Sequence, residues 1–177
     1  MEHTSTPAVT PASVGIRYGL LTGLVTVIYS FVLKAADLEQ KPVMGFLTFG
    51  ILIGGIVLAH KFYKQHNGGF MSYGQGLGIA TVAGAVIGVL SGIFQYIYVN
   101  FIDAQYVQRT LETARAKMEA DSNISEEQID QAMQWTEKMM PTGPISIVWS
   151  ILATAVFAFL LALIISAITK NTRPEFE

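Results

Sequence analysis

The 177-residue chain has no cysteine, which excludes disulfides, thiolate metal sites and lipobox-type acylation together. Charge is nearly as scarce: Asp, Glu, Lys and Arg make up 14% of the residues, against roughly 25% in ordinary soluble domains. That charge is also unevenly placed. Four apolar windows, 14–33, 43–59, 77–101 and 145–168, hold a single charged residue, Arg17. A soluble core helix keeps a polar face, so near-charge-free runs of this length read as membrane spans. A soluble enzyme, a nucleic-acid-binding domain and a secreted disulfide scaffold are thereby excluded. A formal net charge of −2 likewise offers no attraction to a polyanion.

The chain therefore reads as an all-α integral membrane protein. Four transmembrane helices are expected at about 14–33, 43–62, 73–101 and 144–168. An extramembrane helical hairpin at 103–141 separates the third from the fourth. Residues 1–13, rich in Ser, Thr, Pro and Ala, are expected to form a disordered tail, and 171–177 a short C-terminal tail. No Lys or Arg precedes the first run, and Lys34 spoils a cleavage pattern after it. That segment is therefore expected to stay as a span rather than act as a cleaved signal. The second run is the shortest and is extended to Phe62, with amphipathic residues at the interface.

Within the polar insert, Val107, Leu111, Ala114 and Met118 recur at helical spacing, and Arg115 can pair with Glu112 or Glu119. Asp121, Ser122 and Asn123 break this helix. Ser125 followed by Gln128 is a capping box that starts the next one, whose weaker stripe is Ile129, Ala132, Met133, Thr136 and Met140. Pro141 and Pro144 then lead into the last span.

Lys and Arg counts divide almost evenly between the two sides. The tails and the second connection carry Arg17, Lys61, Lys64, Lys170 and Arg173; the other side carries Lys34, Lys41, Arg109, Arg115, Lys117 and Lys138. Four of those six lie in the long hairpin, whereas the 60–72 connection hugs the membrane. The expected orientation thus has both termini cytoplasmic and the hairpin exoplasmic.

Small residues at fourfold spacing are the clearest internal pattern. Gly19 and Gly23 lie in the first span, Gly50 and Gly54 in the second, Gly76, Gly84, Gly88 and Gly92 in the third, Ala158 and Ala162 in the fourth. Lipid supplies no hydrophobic drive between helices, so association relies on close backbone approach at such positions. They serve either internal packing or a partner. Gln95, deep in the third span, needs an interhelical hydrogen-bond partner, for which Thr26, Tyr29 and Ser30 are candidates. Arg17, His60, Lys61 and Lys64 flank the membrane as a basic cluster. Positive-inside anchoring explains them; a headgroup or anion contact is the sharper reading. No catalytic constellation, metal cluster or cofactor motif is present, and no span contains Asp or Glu. No enzyme activity or cofactor is expected.

The four-span plan, the insert before the last span, and the stretch containing His60, Lys61, Tyr63, Asn67, Gly68, Phe70, Ser72, Tyr73, Gly74 and Gln75 together resemble a bacterial membrane family. It is designated domain of unknown function 4199. The resemblance implies a multi-pass protein of the bacterial inner membrane, with no assigned activity. The expected role is an accessory or assembly subunit, with the lipid bilayer and a homo-oligomer or another membrane protein as partners. The alternative is a small homo-oligomeric transporter or flippase for an anionic or lipid-linked substrate.

Overall fold

The computed structural model describes residues 9–39, 41–120, 124–140 and 142–173. They are helical almost throughout: α1 Pro11–Ala35, α2 Pro42–Gln65, α3 Tyr73–Ile97, α4 Tyr106–Glu119, α5 Glu126–Met139 and α6 Ile145–Thr169. A π-helical turn, Tyr98–Ile102, continues α3. Four helices, α1, α2, α3 with its π-turn, and α6, are long and apolar enough to cross a membrane.

Local chemistry sets the helix starts. The Thr10 hydroxyl accepts from the Ser13 amide and Ser13 answers at the Thr10 amide, with Pro11 in the first turn. This reciprocal cap satisfies amides that otherwise lack partners. It starts α1 at Pro11, inside the stretch 1–13 read from composition as a tail; residues 1–8 lie outside the described residues. Ser125 and Gln128 form the expected capping box of α5. The helix break at Asp121, Ser122 and Asn123, together with Pro141 and residues 174–177, lies outside the described residues.

The chain divides into two compact units, Met1–Ser91 with Ser150–Glu177, and Gly92–Trp149. In the first, α1 and α3 run parallel, because Gly15, Gly19 and Gly23 face Ile79, Ala83 and Ile87 in rising order. Helices α3 and α6 are antiparallel, with Gly76 against Ser166, Gly84 against Ala158 and Gly88 against Ile151. Helix α2 closes the bundle, meeting α1 where Gly55 faces Thr22 and α6 where Phe49 packs on Phe157. Leu52, Ile56, Ala80, Ile87, Ala158 and Ala162 fill its centre. The outside is apolar as well: Leu24 is 57% exposed, Phe46 71% and Ile168 78%. Water would not tolerate such a continuous apolar surface, whereas hydrocarbon does.

In the second unit, Arg115 pairs with Glu119 at 2.8 Å within α4 and reaches Asp130 of α5 at 3.1 Å. Glu112 takes a hydrogen bond from Gln108. Arg109 pairs with Asp103, and the Asn100 amide donates to Thr142 O at 2.9 Å.

Candidate functional site

One end of the bundle gathers most of the polar chemistry of the first unit. It is built from the first turns of α1, the last turns of α2, the 66–72 connection and the end of α6. The connection can turn this tightly because Gly68 and Gly69 adopt positive φ, 63° and 87°, a region that glycine enters without steric cost. Met71 and Asn171 then exchange two backbone hydrogen bonds of 2.7 and 2.9 Å. The Asn171 side chain adds a third to Gly69 O. This fastens the α2–α3 connection to the segment after α6.

His60 lies at the centre of this fastening. It is fully buried, with Nε2 3.0 Å from Gly76 O and Nδ1 2.9 Å from Thr169 Oγ1. A carbonyl oxygen only accepts, so Nε2 carries the hydrogen; in a neutral ring Nδ1 is then an acceptor, and the one Thr169 hydroxyl proton is shared between it and Ile165 O, 2.8 Å away. One imidazole thereby joins α2, α3 and α6. One turn on, Lys64 Nζ donates to Thr169 O at 3.0 Å, capping the carbonyl end of α6, where positive charge is favoured.

These positions correct one member of the basic cluster read from sequence. His60 is sealed in the core and is not presented to a headgroup, whereas Lys64 is half-buried and gives one hydrogen bond to α6. Arg17 and Lys61 are exposed, as are Lys170 and Arg173, two positions that adjacency in sequence did not bring into the cluster. The Arg17 guanidinium lies over the Phe62 ring, 4.7 Å from its centroid. Phe62 in turn stacks on His66 at 4.1 Å. Arg173 lies over Phe70 at 5.3 Å.

A family model for proteins of unknown function, DUF4199, matches residues 17–171. The chain belongs to this family. The matched region begins at Arg17 and ends at Asn171, so it contains the whole fastening of this family member. No curated protein and no solved structure matches the chain.

The small-residue positions divide cleanly. A Cβ at Gly19 would lie 2.8 Å from Val86 Cβ, and one at Gly23 2.7 Å from Leu90 Cδ1. At Gly76 it would meet Ser166 Oγ at 2.6 Å, and at Gly84 and Gly88 it would meet Ala158 and Ile151 at 2.5 and 2.6 Å. Gly92 is buried, as are Ala158 and Ala162. Gly50 and Gly54 differ: a Cβ at either meets nothing within 4 Å, so of the two roles read from sequence they do not serve internal packing. The glycine of α2 that admits a neighbour is Gly55, one residue and about 100° further round the helix. Gly74 and Gly78 of α3 face open space too.

Gln95 is half-buried, and its amide makes no hydrogen bond among the described residues, contrary to the interhelical bond expected of it. Thr26 bonds to Thr22 O within its own helix, and the Tyr29 hydroxyl donates to Met44 O.

Two of the recesses on the sides of the first unit bear on function. One, of about 310 Å³, runs between α1 and α2 and has Gly50, Gly54 and Gly55 in its lining with Leu21, Val25 and Leu58. The other, of about 440 Å³, is lined by Thr26, Thr48, Leu52, Ile87, Ser91 and Phe157 among others. Thr48, like Thr26, bonds its hydroxyl to its own helix, which leaves this recess mainly apolar. Among the described residues, no three His, Cys, Asp or Glu side chains come together as a metal site.

Proposed function

We propose that the protein is a non-enzymatic membrane subunit that seats one transmembrane helix of a partner protein in the groove between α1 and α2. The observation that carries this is the open pair Gly50 and Gly54. Elsewhere in the bundle, glycines spaced by four seat a helix: Gly15, Gly19 and Gly23 admit α3, while Gly84 and Gly88 admit α6. The groove over Gly50 and Gly54 has the same small-residue floor and an apolar lining. It therefore suits a close-packed helix in lipid better than a soluble ligand. The proposed orientation places the end containing Lys61, Lys64, Lys170 and Arg173 in the cytoplasm and α4 and α5, as an extramembrane hairpin, on the exoplasmic side of a bacterial inner membrane. The positive-inside bias of the short connection supports it.

Because the chain is free of cysteine, Gly54→Cys supplies a unique cross-linking position. Oxidation or bismaleimide treatment of native membranes should yield an adduct heavier than the monomer. Gly50→Leu with Gly54→Leu should abolish co-purification of the partner without unfolding the monomer, since these positions meet no internal neighbour. A homodimer cross-linked through the Gly54→Cys thiols would reassign the occupant to a second copy. Monomer alone, with co-purification unaffected by the leucines, would remove the reading.

The 440 Å³ recess favours a second reading, a small transporter or flippase whose lipid-linked substrate lodges its chain there. Its apolar wall suits an acyl or isoprenoid chain. Ala153→Trp should block transport of such a lipid in reconstituted vesicles while leaving the α1–α2 groove open.

A further inference from the structure

We infer that the basic end of the bundle binds the phosphate headgroup of an anionic phospholipid, held by Arg17 and Lys61 within the field of Lys170 and Arg173. This assignment does not depend on whether a helix docks over Gly50 and Gly54. Three observations carry it.

The first is a cluster of cations without ion-pair partners among the described residues. Arg17, Lys61, Lys64, Lys170 and Arg173 lie at this end, and none forms an ion pair among the described residues. The acids described in this unit are Asp37 and Glu39, beyond the far end of α1, where Glu39 is paired with Lys34 at 3.0 Å. A group of cations with no acid beside it among the described residues, on a low-dielectric support, concentrates field and draws anions.

The second is the way Arg17 is held. Phe62 covers one face of its guanidinium. A cation over a ring uses its face, whereas its N–H donors point outward in the guanidinium plane. Arg17 is thus oriented without spending its fork on a carboxylate, and that fork matches two phosphate oxygens.

The third is the setting, which selects a lipid over a soluble anion. Arg17 lies within α1, beside Ile16 at 48% exposure, Leu20 at 49% and Leu21 at 54%. An inorganic phosphate would leave these side chains uncovered. A phospholipid satisfies both parts, with its phosphate on Arg17 and Lys61 and its acyl chains along Ile16, Leu20 and Leu21.

The test uses the full chain in a zwitterionic detergent, with lipid retention read by native mass spectrometry against phosphatidylglycerol and phosphatidylcholine. Phosphatidylglycerol should be retained preferentially. Lys61→Ala should reduce that preference about fivefold, and the Arg17→Ala/Lys61→Ala pair by roughly a further fivefold, at about one kcal/mol per surface cation. Lys41→Ala removes the same charge beyond the start of α2, at the other end, and should leave the preference intact. Lys61 is exposed and outside the core, so its variant reads the site even if Arg17→Ala fails to fold. Equal retention of the two lipids would overturn the assignment, as would an equal loss in Lys41→Ala. Displacement of phosphatidylglycerol by millimolar inorganic phosphate would also overturn it, in favour of a soluble anion.

Discussion

His60 shows how a polar side chain can be structural in a membrane bundle. Both ring nitrogens are used, and the groups they meet belong to two other helices. Replacing it with Leu keeps the volume but leaves the Thr169 hydroxyl and the Gly76 carbonyl without this partner in a dry site. A buried polar group that loses its hydrogen bond costs about 1–3 kcal/mol. The expected outcome is a loss of that size in denaturant unfolding in detergent, with His60→Gln recovering part of it. Lys64→Met removes a single partly exposed contact to the end of α6 and should cost less, about 0.3–1 kcal/mol. Equal stability in His60→Leu would mean that the three-helix junction contributes nothing. Proximity in sequence to Lys61 and Lys64 made His60 look like part of a solvated basic flank. The period of α2 held the better signal: Leu52, Ile56, Ala59 and Tyr63 are buried, and His60 lies on the same face, while Lys61 is turned about 100° away. Reading that face required knowing which side of α2 meets the bundle, and a helix apolar all round does not declare it.

The same ambiguity governs the glycines at the scale of whole helices. Spacing by four identified Gly19, Gly23, Gly84 and Gly88 as packing positions because the pattern repeats over several turns of one face. It assigned the same role to Gly50 and Gly54, although the neighbouring Gly55 is the residue that meets Thr22. Helix ends were more legible, since caps are local: Ser125 and Gln128 act within four residues, and no tertiary information is needed to find them. Paired substitutions separate the two glycine classes. A leucine at Gly84 would drive atoms into Ala158 Cβ and Thr154 O, at 2.5 and 2.9 Å from the first added carbon. Overpacking of this kind costs about 1–3 kcal/mol or more, and α3 and α6 must separate to relieve it. Gly50→Ala meets nothing and reduces the freedom of the unfolded chain, so the isolated monomer should gain up to about 0.5–1 kcal/mol. Thermal unfolding of both variants in detergent checks the contrast. A destabilised Gly50→Ala monomer would show that this face is covered from within the chain, and the docking groove would be lost with it.

For the molecule as a whole, sidedness follows from parity and from one fastening. In the proposed four-span arrangement the chain returns to its starting side, and the Met71–Asn171 hydrogen bonds independently tie the α2–α3 connection to the segment after α6. These two regions must therefore face the same compartment whatever the orientation. Lys and Arg numbers alone decided little, because five lie on one proposed side and six on the other, four of the six within 103–141. The proposed orientation is consequently a statement about which cations lie closest to lipid, and cysteine scanning tests it in a background with no native thiol. Gln65→Cys, at the exposed end of α2, and Lys170→Cys should both resist a membrane-impermeant maleimide in intact cells and react with it in inverted vesicles. Asp37→Cys and Glu126→Cys should show the opposite pattern. If all four reverse together, the fold stands and the orientation is inverted. If Gln65→Cys and Lys170→Cys differ from each other, the strand-like bridge between Met71 and Asn171 does not form in the membrane. The junction of α2, α3 and α6 at His60 would then need a different closure, because the same end of α6 supplies both contacts.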